Sequence, residues 1–309
     1  MKQVAVIGAG LIGRAWAIVF ARAGMRVSLW DHDPAATAAA RLYIAERLPE
    51  LRAAGLLADE PAAVLERITP MATLEAALEG AGYVQENGPE RLDAKQALFA
   101  RMDAIVPLAT VLASSTSGIP ASAFTEQLPG RARCLVAHPV NPPYLVPLVE
   151  LCPAPWTDAA SMEKAREVML QAGQVPATLH REIAGFVLNR LQIALVSEAF
   201  RLVADGVMSA ADVDATVKHG LGLRWSFMGP FETIDLNAPG GLADYCGRYG
   251  GLYAQVQNET APRPLTPELV DELDRGRRAL LPLDAQSERQ AWRDRRLMAL
   301  LSHKAGQPE

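Results

Sequence analysis

The sequence predicts an α/β fold in which an N-terminal Rossmann-type, doubly wound and mostly parallel sheet is followed by an all-α C-terminal domain. Two observations lead to it. Residues 3–31 read as strand, helix and strand with glycines after the first strand, and such a βαβ unit implies parallel strands. After about residue 183 the apolar residues recur with helical spacing and we find no strand pattern. We therefore divide the chain into domains of residues 1–182 and 183–309.

Short apolar runs predict the strands of the first domain. In chain order they are QVAVIG, RVSLWD, ERITPMATL, AGYVQEN, TVLASSTS, RCLVAHPV, PLVEL and QVPATLH. Longer runs predict its helices: LIGRAWAIVFARAG, closed by Gly24; residues 34–57, with a break at Pro49; LDAKQALFARMDAIV; and TDAASMEKAREVMLQAG, with Thr157 as N-cap.

The second domain is predicted to be helical throughout. Its helices are GFVLNRLQIALVSEAFRLVADG, SAADVDATVKHG and TPELVDELDRGRRALL, the last with Thr266 and Pro267 as a helix start. The run RQAWRDRRLMALL predicts a solvated amphipathic helix, and a functional role for its arginines is the alternative.

The composition argues against several classes of protein. The 309 residues carry a net charge of −5 and no long basic run, so a nucleic-acid partner is not expected. The three cysteines are scattered and match neither a disulfide framework nor a zinc site. The N-terminus runs directly into a strand rather than a signal peptide, and no apolar run is long enough for a membrane span. We expect a cytoplasmic protein.

Gly8, Gly10 and Gly13 form the pattern G-x-G-x-x-G between the first strand and its helix. Gly8 allows a tight turn, Gly10 a close approach of the backbone to a pyrophosphate, and Gly13 close packing of helix and strand. The free amides of the helix N-terminus, among them Leu11 and Ile12, favour phosphate. The pattern predicts a dinucleotide site; the alternative is a glycine turn without a ligand.

Asp31 ends the second strand, at the position where a carboxylate binds the ribose hydroxyls of a dinucleotide. His32 and Asp33 follow it, and no Arg or Lys is present there to hold a 2′-phosphate. The sequence therefore predicts NAD rather than NADP as the cofactor.

His138 lies in AHPVNPP, at the carboxyl end of a predicted strand, where ligands bind in open α/β sheets. Glu150 lies among apolar residues in PLVEL and needs a partner if buried. A carboxylate paired with the imidazole would fix its tautomer and stabilise its protonated form. We expect His138 to transfer a proton, with a structural histidine as the alternative; no second His or Cys nearby in sequence supports a metal.

The hydroxyl cluster ASSTSG, residues 113–118, follows another strand and is expected to face the nicotinamide.

Together these residues resemble the 3-hydroxyacyl-CoA dehydrogenase superfamily, and the likeness runs in matching order from Lys2 to about Asp235. In that family a Ser, a His, a Glu and an Asn form the active site. The resemblance places them at Ser117 of STS, His138 of HPVNP, Glu150 of LVEL and Asn189 of GFVLNRL.

The resemblance also implies cofactor contacts and an assembly. The nicotinamide-side contacts of the family fall on Glu90, Lys95, Ser117 and Asn141. The helical second domain usually mediates dimerisation in the family, which implies a homodimer.

Further phrases are similar to the branch of the family that contains lambda-crystallin, an L-gulonate 3-dehydrogenase. They are ENGPE, SSTSG, HPVNPPY, GLGLRWSFMGPFETIDLNA and RQAWRD. The region NPPYLVPLVEL is also similar to carnitine dehydrogenases. No lysine occurs between Lys2 and Lys95, and the Ala-rich stretch after the second strand offers only Arg41, Arg47 and Arg52 to a CoA phosphate. A small free acid is therefore the expected substrate.

The sequence thus leads to an NAD-dependent dehydrogenase that oxidises the 3-hydroxyl of a small hydroxy acid, with L-gulonate as the leading candidate. His138 acts as general base, Glu150 orients it, and Ser117 and Asn189 bind the substrate. Arg224 of GLRWSFMGP is the candidate to bind the carboxylate; an interdomain or subunit salt bridge is its alternative role. Two other functions stay open: a dehydrogenase of 3-hydroxyacyl-CoA or carnitine, and a crystallin-type structural protein that binds NAD without turnover.

Overall fold

One sheet of eight strands dominates the computed structural model, which describes residues 3–259 and 265–308. The strand order is β3-β2-β1-β4-β5-β6-β7-β8, and all neighbours pair in parallel except β6 and β7, which are antiparallel. The strands are β1 Gln3–Ile7, β2 Arg26–Trp30, β3 Ile68–Pro70, β4 Tyr83–Glu86, β5 Val111–Ser114, β6 Cys134–Pro139, β7 Leu148–Pro153 and β8 Val175–Thr178. The mostly parallel, doubly wound sheet confirms the predicted fold class.

The central strands are buried on both faces, as a parallel sheet covered by helices requires. Every residue of β4, β5 and β6 is buried. One apolar cluster on the sheet includes Trp16 and Phe20 of the first helix, and another includes Phe99 and Phe124. Burying these apolar side chains stabilises the unit.

The helices that accompany the sheet cover both of its faces. They are α1 Leu11–Arg22, α2 Pro34–Ala53, α3 Pro61–Glu66, α4 Leu74–Leu78, α5 Leu92–Ile105, α6 Ala121–Thr125 and α7 Ala159–Gln171. The predicted break at Pro49 is wrong, because α2 continues through it. A proline within a helix costs one hydrogen bond, and the burial of Ile44, Leu48 and Leu51 on the inner face of α2 offsets that cost.

The helix ends follow the expected capping chemistry with one exception. Gly24 and Gly173 adopt positive φ just after α1 and α7, as a C-terminal glycine does. The predicted N-cap Thr157 is wrong: the side chain of Asp158 accepts the hydrogen bond from the Ser161 amide. The Thr157 hydroxyl instead donates to the Cys134 carbonyl, at 2.6 Å.

Residues 190–287 form a second compact unit, while residues up to Asn189 and from Glu288 onward form the first. The helices of the second part of the chain are α8 Leu188–Ala204, α9 Ala210–Thr216, α10 Gly222–Trp225, α11 Pro230–Asp235, α12 Gly241–Glu259, α13 Pro267–Leu280 and α14 Gln286–Ala305. Thr266 caps α13 as predicted, and the described residues of this unit contain no strand. The domain boundary at residue 183 stays a prediction; α14, from Glu288, belongs to the first unit. Within the described residues, no helix combines the length and apolarity needed to span a membrane.

Candidate active site

The candidate site lies along the edge of the sheet at which the parallel strands end. Gly8 follows β1, Ser115 follows β5, and His138 is the next-to-last residue of β6. Parallel strands carry their carboxyl ends to one edge, where open α/β sheets bind ligands. Chain connectivity therefore gathers the glycine turn, the hydroxyl cluster and the histidine at that edge.

The three glycines of the turn meet different steric demands. Gly8 has φ +94°, and a Cβ added to it would lie 2.7 Å from the carbonyl oxygen of Asn87. A Cβ on Gly13 would lie 1.8 Å from the Gly8 carbonyl oxygen. Gly10 has no atom within 4 Å of its Cβ position. Gly8 and Gly13 are thus required by the fold itself, whereas the space beside Gly10 is open to a ligand.

The N-terminus of α1 fits the pyrophosphate of a dinucleotide. The first amide to bond within this helix is that of Arg14, which donates to the Gly10 carbonyl at 3.0 Å. The amides of Leu11 and Ile12 in the first turn have no carbonyl acceptor within the helix. They lie next to the open face of Gly10, so the turn can hold phosphate oxygens by backbone donors.

Asp31 is held in place at the end of β2. Its carboxylate accepts hydrogen bonds from the Ala9 amide at 2.7 Å and the Asp33 amide at 3.0 Å. The exposed His32 imidazole contacts it at 2.8 Å. These contacts join β2 to the glycine turn and orient a carboxylate toward the position where the fold binds ribose hydroxyls.

His138 and Glu150 face each other as a cross-strand pair of β6 and β7. The His138 Nδ1 atom lies 2.9 Å from the Glu150 Oε2 atom, and both side chains are buried. Because the carboxylate accepts a hydrogen bond, Nδ1 carries the proton and Nε2 remains as the nitrogen that can take one. The prediction that these two residues pair is in agreement with this geometry.

Glu150 is also fixed from the side of α8. Its Oε1 atom accepts hydrogen bonds from the Val187 and Leu188 amides, each at 2.8 Å, at the start of that helix. Burial raises the pKa of Glu150, but the hydrogen bonds from His138, Leu188 and Val187, with the electrostatic attraction of the His138 imidazole, outweigh it and lower the pKa overall. The carboxylate therefore stays ionised behind the imidazole.

Phe186 is a neighbour of His138 that the sequence reasoning missed. Its ring lies 5.4 Å from the imidazole, centroid to centroid, and its φ is +51°. Positive φ is strained for an aromatic residue, so the packing against His138 and the amides bound by Glu150 hold this segment in place.

Ser117 and Asn189 come together from distant parts of the chain. The Asn189 Nδ2 atom donates to the Ser117 carbonyl oxygen at 2.9 Å. Asn189 lies in the first turn of α8, directly after the amides that bind Glu150. The four residues Ser117, His138, Glu150 and Asn189 are thus connected through hydrogen bonds and the start of one helix. Their catalytic roles stay a prediction.

Glu90 and Lys95, the predicted nicotinamide-side contacts, are involved in fixing the hydroxyl cluster. Glu90 accepts from the amides of Ser117 at 3.0 Å and Gly118 at 3.1 Å, and from the Thr116 hydroxyl. Lys95 is only 2 % exposed, and its ammonium lies 3.1 Å from the carboxylate of Glu86. Glu86 is therefore a further residue of the site region that the sequence reasoning missed. The sequence feature that could have identified Glu86 is a single carboxylate within an apolar strand, which needs a partner when it is buried.

A second set of buried polar groups links the glycine turn to the strand of His138. The Ser115 hydroxyl donates to the Asn87 side chain at 2.7 Å and accepts from the Gln85 amide at 2.7 Å and the Trp16 indole at 3.0 Å. Gln85 also donates to the Ala137 carbonyl, at 3.1 Å. Each contact joins residues far apart in sequence, which is why sequence patterns alone did not reveal this network.

Two predicted site residues remain, Asn141 and Arg224. Asn141 is exposed on the turn between β6 and β7 and precedes the cis peptide bond to Pro142. Arg224 lies in α10 of the second unit, and among the described residues no carboxylate forms an ion pair with it. Both assignments stay predictions. Within the described ranges, no three His, Cys, Asp or Glu side chains are grouped as metal ligands.

The replacement Glu150→Gln tests the electrostatic role of the carboxylate. The pKa of Glu150 is lowered on folding, so its ionised form stabilises the folded protein above the ordinary glutamate pKa of 4.5. That stability is lost as the pH falls through the lower folded-state value. We expect the difference in unfolding free energy between wild type and variant to be largest at neutral pH and to shrink below pH 4.5. Chemical denaturation at a series of pH values measures it; a difference that grows on acidification would contradict this role.

Comparison with known proteins supports one family. The model of the 3-hydroxyacyl-CoA dehydrogenase NAD-binding domain matches residues 3–183, and that of the C-terminal domain matches residues 185–280. A lambda-crystallin homolog of Bos taurus is 43% identical, covering 99% of this chain and 97% of its own. An L-carnitine dehydrogenase of Streptomyces griseus is 41% identical over 81% of this chain and 74% of its own. The crystal structure of 3-hydroxybutyryl-CoA dehydrogenase from Escherichia coli K12 superposes with a TM-score of 0.68 and 31% identity, covering 82% of this chain and 53% of that one.

Proposed function

Since the chain belongs to the 3-hydroxyacyl-CoA dehydrogenase family and is an NAD-dependent oxidoreductase of CH–OH groups, we propose that it oxidises the 3-hydroxyl of a small free hydroxy acid. L-gulonate, oxidised to 3-dehydro-L-gulonate, is the leading candidate. The observation that carries the proposal is the buried His138–Glu150 pair at 2.9 Å, beside Ser117 and Asn189.

Each residue of the site has a separate role in the proposed reaction. His138 takes the proton of the substrate hydroxyl at Nε2, because Nδ1 is engaged by Glu150. Glu150 stabilises the imidazolium that results. Ser117 and Asn189 hydrogen-bond the substrate oxygens and hold the hydroxyl toward His138. When bound, NAD supplies the acceptor for the hydride that leaves the substrate carbon.

The arginines of α2 argue for a free acid rather than a CoA ester. Arg41 donates to the Ile68 carbonyl at 2.8 Å, Arg47 pairs with Glu50, and Arg52 donates to the Ala58 carbonyl at 2.7 Å. These guanidinium groups already form contacts within the unit, and no lysine lies between Lys2 and Lys95. All three arginines of α2 are therefore already bound within the unit, and this stretch offers no other cation to a CoA phosphate.

A substrate panel tests the proposal. We expect NAD reduction with L-gulonate at a kcat/KM well above that with L-carnitine or 3-hydroxybutyryl-CoA. A preference for the CoA ester or carnitine would overturn the proposed substrate. NADH binding without turnover of any hydroxy acid would favour a structural role.

Arg224 is proposed to bind the substrate carboxylate through two parallel bonds. Hydrogen bonds to charged groups contribute about 1.5–3 kcal/mol, so Arg224→Gln should raise KM for the acid about 10- to 100-fold while NADH affinity stays unchanged. Arg275→Gln, an exposed arginine of the same unit, is the matched control. Steady-state kinetics of both variants measure the effect, and an unchanged KM in the Arg224 variant would favour the salt-bridge role.

We also propose that the protein is a homodimer formed through its helical unit. Helix α8 has an amphipathic sequence, yet none of its residues is buried within the chain. Along α8, Leu191, Ile193 and Val196 are 62%, 60% and 40% exposed, and several exposed apolar side chains on one helix mark an interaction surface, whereas a single exposed leucine does not. A second copy of the chain would cover them.

The mass in solution tests this assembly. Analytical ultracentrifugation should give a dimer for the wild type and a monomer for Leu191→Glu. The matched control is Leu108→Glu, which replaces a leucine of the first unit that is 76% exposed and should leave the dimer intact. A monomeric wild-type protein would overturn the assembly.

A further inference from the structure

The C-terminal helix α14 carries the motif RQAWRD and belongs, from Glu288 onward, to the same unit as the sheet. Asp294 within this motif is 7% exposed and is one of two buried residues of the helix. A buried carboxylate requires partners. Its Oδ1 atom accepts from the Arg293 guanidinium at 2.9 and 2.7 Å, and its Oδ2 atom accepts from the Tyr144 hydroxyl at 3.4 Å.

Tyr144 is 1% exposed, and both its backbone carbonyl and its side-chain hydroxyl are hydrogen-bonded. Its carbonyl oxygen accepts from Arg22 of α1 at 2.7 Å. Its hydroxyl lies 2.8 Å from that of Tyr43 in α2; since the Tyr144 proton is donated to Asp294, Tyr43 acts as the donor to Tyr144. Burial, followed by the contacts with Tyr43 and Asp294, raises the pKa of Tyr144, so the phenol remains a donor. Helices α2 and α14 thus hold the side chain of Tyr144, and α1 holds its backbone carbonyl.

Tyr144 lies in the turn between His138 and Glu150. Within this turn Pro142, Pro143 and Tyr144 are buried, whereas Asn141 is exposed. The Pro142 carbonyl accepts from the amides of residues 145 and 146, each at 2.9 Å. His138 and Glu150 are fixed by the sheet, whereas Asn141 directly precedes the buried part of the turn that Tyr144 anchors.

We infer that Asp294 is a positioning residue, which acts through Tyr144 to hold Asn141 in the orientation that binds the nicotinamide side of NAD. The inference deepens the proposed NAD-dependent function and rests on the cofactor contact that the sequence predicts for Asn141. It gives the C-terminal motif a function in the site of the first unit. The motif is then more than a solvated helix.

The test is a titration of the full-length protein with NADH, followed by fluorescence, together with melting temperatures. The loss of one hydrogen bond should weaken NADH binding about threefold to tenfold in Asp294→Ala and in Tyr144→Phe. Asp294→Asn keeps an oxygen acceptor and should restore most of the affinity. Glu288→Gln, an exposed carboxylate in the same helix, is the control and should bind like the wild type.

The double variant distinguishes an action through Tyr144 from two independent effects. If Asp294 acts through Tyr144, the Asp294→Ala and Tyr144→Phe double variant binds NADH no more weakly than the weaker-binding single variant. Additive losses would overturn the inference, and so would a lowered melting temperature with unchanged NADH affinity. The titration needs no substrate, so failure of every candidate hydroxy acid would overturn the proposed substrate without altering this result.

Discussion

Replacing His138 with Asn should slow NAD reduction at least about 100-fold while the protein still binds NADH. Asparagine is polar and smaller than histidine, but it cannot take a proton at neutral pH. A positioned general base contributes about 10²- to 10⁴-fold to the rate, so we expect kcat to fall by that factor. The loss of NADH formation in a steady-state assay, with NADH affinity measured in parallel, is the observation required.

A matched variant tests whether the replacement of any histidine in this unit would lower turnover. His180→Asn replaces an exposed histidine of the same unit and should retain wild-type turnover. Turnover within a few-fold of wild type in His138→Asn would contradict the role of His138 as general base. Equal losses in both variants would point to a change in the fold rather than in the chemistry.

Two glycine replacements should distinguish a glycine that the fold requires from one that NAD binding requires. A Cβ on Gly13 would lie 1.8 Å from a backbone oxygen, so Gly13→Ala should lower the melting temperature and abolish NADH binding. Gly10 has open space at its Cβ position. Gly10→Ala should therefore keep the wild-type melting temperature and still lose NADH affinity, because the methyl group would occupy space needed by the pyrophosphate.

Calorimetry and NADH titration of the two variants provide the comparison. Normal NADH affinity in Gly10→Ala would contradict the placement of the pyrophosphate beside this turn. A Gly13→Ala protein with wild-type stability would show that the turn can move to accommodate a Cβ.

The features that could be predicted from sequence are those with local signals. The glycine turn, Asp31 and the strand of His138 follow from residue spacing within short segments, and the periodicity predicted the strands and helices around them. Glu150 could be paired with His138 because a carboxylate in an apolar strand needs a partner, and the antiparallel register of β6 and β7 brings the two together.

Features that depend on tertiary contacts could not be predicted in this way. The pairs of Lys95 with Glu86 and of Tyr144 with Asp294 join segments that only the folded sheet brings together. The two errors have the same origin. Packing on the inner face of α2 offsets the local preference of Pro49, and Thr157 bonds to β6, so Asp158 takes over the cap.

A crystal structure with NADH and L-gulonate bound would test the central claim most directly. We expect the 3-hydroxyl oxygen of the substrate within about 2.6–3.2 Å of the Nε2 atom of His138, the range of a hydrogen bond to a general base. The Nδ1 atom should remain bonded to Glu150. A substrate hydroxyl bound to another base, with His138 turned away from it, would contradict the mechanism.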